Sequence, residues 1–116
     1  MKTRILLATR VARPPVEKAL RQFDDVELTV CDELADVPAR VGNADVLVLS
    51  DPRGEDGRRI AAALKAPGHP VRWIQILTAG HEGLTAHGVP DAIVVTNQGG
   101  AVAPAVADHG MMMLLA

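Results

Sequence analysis

An open, doubly wound parallel α/β sheet of the flavodoxin-like kind, with five strands and helices on both faces, is the fold this 116-residue sequence predicts. Three observations predict it. Apolar runs of four to six residues recur and alternate with longer segments of helical character, the pattern of repeated strand and helix units. Four of the five runs are rich in Val, Ile and Leu with little polar alternation, as strands covered on both faces require. The length suits one domain that buries roughly two thirds of the surface its unfolded chain exposes.

The elements follow in order. "RILLAT" (Arg4 to Thr9) is the first strand. In "PPVEKALRQF", Pro14 and Pro15 stand where a helix can start, and Val16, Ala19, Leu20 and Phe23 fall along one face. "VELTV" (Val26 to Val30) is the second strand, and "DVPARVGN" is a short helix or turn. "DVLVLS" (Asp45 to Ser50) is the third strand, followed by a helix in "EDGRRIAAALKAPGHP" that Pro67, Gly68 and Pro70 end. "RWIQILT" (Arg72 to Thr78) is the fourth, "HEGLTAHGVP" allows about one helical turn, and "AIVVTN" (Ala92 to Asn97) is the fifth. Pro104 to Ala116 reads as a last helix with proline in its first turn.

Composition narrows the partners. The 12 basic and 14 acidic residues form no long run of either sign, so there is no electrostatic footprint for nucleic acid or an anionic membrane. Phe23 and Trp73 are the only aromatic residues, too few for base-stacking platforms. With Cys31 as the single cysteine, no intrachain disulfide or CxxC metal site can be drawn, and a reducing cytoplasm is the expected setting. "MKTRILLAT" is too short an apolar run for a signal peptide, and no stretch approaches the ~18 apolar residues of a membrane span.

Sheets of this type bind ligands beyond the carboxyl ends of their strands. The first loop there, "TRVARPP", holds neither GxGxxG nor GxxxxGK[ST], and neither occurs elsewhere, so this domain by itself is expected to hold no nucleotide. A phosphate-accepting receiver domain shares the architecture but needs an acidic pair after strand one and an Asp ending strand three. Asp51 fits the second loosely; the pair is absent. Strand four runs into "LTAGHEGL", where Ala79 and Gly80 are small enough for backbone amides to approach an anion, an ordinary tight turn being the other reading. His81 and Glu82 follow, either as a proton-transferring pair or as solvated surface residues.

His69, His81, His87 and His109 stand in no HxxxH, HExxH or cysteine-containing pattern, so no metal site is expected. Cys31, just past strand two with no histidine nearby, reads as a buried or incidental thiol rather than a nucleophile. Asn97, Gln98, Gly99 and Gly100 form the loop after strand five, where glycines admit a ligand or turn the chain. From Ala105 onward only Asp108 and His109 are polar, so the last helix is apolar nearly all round and lacks an end signal. Two explanations stand: a dimer contact, or a chain cut inside a helix that continues into a second domain.

Taken together, "RWIQILTAGHEGL" and "GVPDAIVVTNQGGAVAPAVADHGMMMLLA" resemble the NAD(P)-dependent D-2-hydroxyacid dehydrogenases. That family's pattern is a tryptophan-bearing strand, a turn of small residue, Gly and acid, a "V.V.N" strand and a helix bearing "VAEH". Here these are Trp73, then Ala79 and Gly80 with Glu82, then Val94 to Asn97, then Val106 to His109. The likeness is strong over about the last 45 residues and holds only in layout over the first 70. Glu82 stands where Asp is usual and Asp108 where Glu is usual. Val102 stands where some relatives carry a substrate-contacting Asn, which argues against the formate-oxidising branch.

The resemblance implies that residues 1–103 are a substrate-binding (catalytic) domain and 104–116 the start of an interdomain helix, the dinucleotide-binding domain being absent from this chain. It implies that the Ala79 and Gly80 amides bind the carboxylate of a small 2-keto or 2-hydroxy acid, that residue 79 approaches the nicotinamide, and that Val106 lines the cofactor side of the cleft. The family's glycine-rich fingerprint, its carbonyl-polarising arginine and its histidine with an acidic partner lie downstream, so no catalytic residue is assigned here; His81 and His109 are not that histidine. The expected reaction of the whole enzyme is reversible reduction of a 2-keto acid to a D-2-hydroxy acid by hydride transfer from NADH or NADPH, with the 116 residues alone inactive and binding no cofactor tightly. A homodimer is the expected assembly. The alternative is a self-contained flavodoxin-like binding or regulatory module dimerising through its last helix.

Overall fold

The computed structural model describes residues 2–9, 13–78, 80–97 and 100–101. Five parallel strands, β1 (Thr3–Ala8), β2 (Val26–Val30), β3 (Val46–Leu49), β4 (Trp73–Ile76) and β5 (Val94–Asn97), lie in the order 2-1-3-4-5. Between them run helices α1 (Arg13–Leu20), α2 (Glu55–Lys65) and α3 (Glu82–Thr85), with short 3-10 turns at Leu34–Asp36 and Val41–Asn43. This is the open parallel α/β sheet that the alternation of apolar runs predicts.

Strand register sorts the side chains into two faces. Leu6, Leu47, Ile74 and Val95 stand side by side across β1, β3, β4 and β5, and Ile5, Val46, Trp73 and Val94 form the next row on the opposite face. Both rows are buried, and each fully buried aliphatic side chain contributes about 1.5–3 kcal/mol. The first face is closed by Ile60, Ala61 and Leu64 of α2, Leu84 of α3, and Val37 and Val41 beside the 3-10 turns. The second face receives Val16 and Leu20 of α1, and α1 buries no residue completely. An apolar groove of about 510 Å³ stays open there, with Val48, Trp73 and Leu77 among its walls. Within it the Trp73 indole N–H donates to Thr96 Oγ1 at 2.9 Å, and Thr96 Oγ1 donates to Gln75 Oε1.

Several expectations need correction. The first helix ends at Leu20, and Phe23 is 57% exposed instead of lying on its inner face. The Gln22 and Phe23 amides bond back to the carbonyls three residues earlier, tightening the end into a turn that carries Phe23 outward. Beyond β5 a two-residue strand, β6 (Gly100–Ala101), pairs antiparallel with Thr96 and Asn97, so Gly100 belongs to a short strand and not to a loop. The expected helix from Pro104 to Ala116 lies outside the described residues.

The end of α2 shows why a histidine sits in "APGHP". Ala66 is extended because Pro67 follows. The Val71 N–H donates to His69 Nδ1 at 3.1 Å, so the ring's proton is on Nε2, which donates to the Leu64 carbonyl at 2.7 Å. His69 is therefore a helix cap.

At the amino edge of the sheet, Asp45 accepts the Arg4 backbone N–H at 2.9 Å and pairs with its guanidinium at 3.4 Å. The backbone hydrogen bond first, then the guanidinium, hold its carboxyl below the ordinary range. A depressed folded value gives stability that is present above the unfolded value of about 3.9 and is lost as pH falls through the folded one. Asp45→Asn is expected to cost about 1 kcal/mol at neutral pH and to flatten the acid limb of urea midpoints measured from neutrality downward. Parallel limbs for the two proteins would refute this.

Candidate functional site

Because β3 and β4 are neighbours, the residues leaving their carboxyl ends, Ser50 to Gly54 on one side and Leu77, Thr78, Gly80 and His81 on the other, lie side by side. Two glycines set their height. A Cβ on Gly57 would lie 2.0 Å from the Gly83 carbonyl oxygen and 2.3 Å from that of Pro52, and one on Gly83 would lie 2.4 Å from the same Pro52 oxygen. Helices α2 and α3 thus meet backbone to backbone, with Leu84 driven into the core.

Hydrogen bonds brace the turn that α3 terminates. The Asp51 N–H donates to Thr78 Oγ1 at 3.2 Å, Thr78 Oγ1 donates to the Gly80 carbonyl at 3.1 Å, and the Gly83 N–H donates to Asp51 Oδ2 at 3.3 Å. Asp51 does the work of an N-cap from another loop, since the His81 side chain does not cap α3. Among the described residues, the Gly80 N–H meets no acceptor. The nearest atoms to a Cβ built on Gly80 are Asp51 Oδ2 and Glu82 Oε2, each at 3.5 Å.

The charges around this turn are largely committed. Glu82 accepts its own backbone N–H and that of His81, the latter at 3.0 Å, and these bonds hold its carboxyl below the usual range. Thr85 Oγ1 donates to the His81 carbonyl at 3.1 Å and so receives a hydrogen from His81 Nδ1 at 3.0 Å, which leaves Nε2 toward Glu82 at 3.8 Å. The Arg53 guanidinium lies 3.8 Å from Asp51 Oδ2 but is 85% exposed. The turn offers a backbone donor, and its side chains are engaged in holding its shape.

Of the residues the sequence singles out, Gly80, His81 and Glu82 come together here, joined by Asp51 from the neighbouring loop. Ala79 and Val106 lie outside the described residues, as do Gln98, Gly99 and His109. Asn97 ends β5. Cys31 is buried, and burial pushes its thiol up while the Arg40 charge opposes. His87 is exposed, its carbonyl receiving the Lys65 ammonium. Among the described residues, no three His, Cys, Asp or Glu gather as metal ligands, and no helix is long and apolar enough to cross a membrane. Sequence reasoning missed the bracing role of Thr78 and Asp51 and the glycine contact. A glycine inside each of two helical patterns, Gly57 and Gly83, is the signal that points to close packing.

No protein-family model matches the chain, and no curated protein matches it in sequence. Among solved structures, a D-isomer specific 2-hydroxyacid dehydrogenase family protein from Aeromonas salmonicida subsp. salmonicida A449 superposes with a TM-score of 0.63 at 18% identity. The match covers 99% of this chain and 35% of that one. The shared fold is therefore that of part of such a dehydrogenase, and this chain spans about a third of its length.

Two outcomes follow from the geometry. Gly57→Ala places a methyl group inside a backbone contact that has no side chain to yield, and is expected to lower stability by about 2–4 kcal/mol in urea unfolding; an unchanged midpoint would show that the helices separate freely. In a carbon-13 titration, the Glu82 carboxyl is expected to have a midpoint below the ordinary glutamate value of about 4.3, moving up when His81 and Glu82 amides are disordered by denaturant.

Proposed function

We propose that this chain is the substrate-binding portion of an oxidoreductase that reversibly reduces a 2-keto acid to a D-2-hydroxy acid. The observation that carries the reading is the Gly80 N–H, which meets no acceptor among the described residues and lies at the carboxyl edge of β4, where sheets of this class bind ligands. The fold shared with part of a 2-hydroxyacid dehydrogenase family protein supports it, as does the "TAGHEG" sequence around the turn. Gly80, with Ala79, would donate backbone N–H groups to the substrate carboxylate. The approach to Gly80 is bordered by the Asp51 and Glu82 carboxylates, which a Cβ there would meet at an ordinary contact distance of 3.5 Å.

The residues of this chain do not fit a nicotinamide dinucleotide by themselves. A dinucleotide fold sets the pyrophosphate on the amide donors that open the first helix. In α1 that first turn holds Pro14 and Pro15, which have no N–H to give, and "TRVARPP" lacks the glycines that let a pyrophosphate approach. A cofactor domain outside these residues would hold NADH or NADPH and bring the acid and base; Val106 is proposed to face it. What this chain supplies is orientation of the acid and one wall of the cleft.

Oxamate, a non-reducible 2-keto acid analogue, is expected to shift the Gly80 amide resonance of the nitrogen-15-labelled chain in a saturable way. The purified 116-residue protein is expected to leave NADH unoxidised in the presence of glyoxylate or hydroxypyruvate. A Gly80 amide indifferent to oxamate would sink the carboxylate role, and turnover by the isolated chain would sink the division of labour.

A further inference from the structure

Asp51 is the feature that the proposed function leaves unexplained. Its side chain is only 6% exposed, yet Oδ1 has no hydrogen-bond partner. A buried carboxylate with an idle oxygen is costly to keep, and a small apolar residue would fill the end of β3 without that cost. Its N–H and its other carboxylate oxygen are both spent on the neighbouring turn. Its N–H reaches Thr78 at the start, and its Oδ2 receives the Gly83 N–H at the end, 3.3 Å away. Thr78 passes the restraint on through its bond to the Gly80 carbonyl. The same peptide that is tied at Thr78 and Gly83 thus carries the unengaged Gly80 N–H between its two anchors.

We propose that Asp51 is the positioning residue of the carboxylate-binding turn: from the loop after β3 it ties down Thr78 and Gly83 and fixes the direction of the Gly80 N–H. The inference rests on the proposed carboxylate role of Gly80, but the clamp itself is a property of the ligand-free chain. Asp51 touches no reacting atom. Its carboxylate stays beneath the turn, its Oδ1 directed at Gly83, where a Cβ would come within 2.9 Å of it.

The test uses the nitrogen-15-labelled 116-residue protein. In the wild type, the Gly80 amide should show the relaxation order parameter of rigid backbone, about 0.85. Asp51→Ala should lower it toward the flexible range, below about 0.6, and weaken apparent oxamate affinity at least ten-fold. Asp51→Asn keeps an acceptor for the Gly83 N–H and should restore both, which a loss of bulk stability would not do. If Asp51→Ala fails to fold, Thr78→Val breaks the other half of the clamp on the surface side and should loosen Gly80, with Thr78→Ser restoring it. A rigid Gly80 in a folded Asp51→Ala or Thr78→Val protein overturns the clamp, as does equal loosening by Asp51→Asn. A wild-type Gly80 that is rigid but blind to oxamate leaves the clamp standing and removes the carboxylate role.

Discussion

The approach of α2 to α3 across the Pro52 carbonyl is the constraint on which the candidate site depends. Two helices that meet through Gly57 and Gly83 come closer than any side chain would permit. That closeness lowers α3 onto the end of β3, where Asp51 can accept the Gly83 N–H. Glycine in a helix interior costs about 1 kcal/mol relative to alanine, and both helices carry that cost. Burial of Ile60, Leu64 and Leu84 in the same layer, at about 1.5–3 kcal/mol each, offsets it several times over. Packing on one face of the sheet thereby decides the shape of a loop at its edge.

The two faces are built unequally. On the first, α2, α3 and the 3-10 turns leave no large apolar side chain exposed among the described residues. On the second, α1 meets β1 and β2 through half-buried residues, and β2 alternates Val26, Leu28 and Val30 inward with Glu27 and Thr29 outward, as an edge strand does. The Trp73 N–H, Thr96 hydroxyl and Gln75 carbonyl oxygen of the open groove pair with one another within the sheet itself.

The sheet was legible because its causes are local. Runs such as Val46 to Leu49 are apolar at every position, as a strand covered on both sides requires, and the prolines after Ala66 stop α2 where the pattern says. Phe23 was misplaced because continuing a helical period cannot reveal that the chain tightens at Leu20. The hairpin pairing of Gly100 and Ala101 with β5 was missed because two residues carry no periodicity. At the site, Gly80 and its setting after strand four could be read, since small residues in that loop have a direct steric meaning. The clamp could not, because Asp51 and Gly83 are 32 residues apart and their contact exists only once β3 and β4 are neighbours and two glycines have let α3 descend.

The hydrogen bonds available also bound what this chain can do alone. A backbone N–H to a carboxylate contributes about 1.5–3 kcal/mol, so the two N–H groups of the proposed role would give about 3–6 kcal/mol, against about 8.2 kcal/mol for micromolar binding. The Asp51 and Glu82 carboxylates beside Gly80 subtract from that, although each is partly neutralised by the N–H groups it accepts. A small 2-keto acid has too little apolar surface to make up the difference. On these terms the turn, in the proposed role, would orient a carboxylate more than retain it, and tight binding would call for further cations or donors facing it. The same arithmetic explains why a rigid turn matters: with so few bonds to give, an N–H pointing a little away from the carboxylate forfeits a large share of the whole.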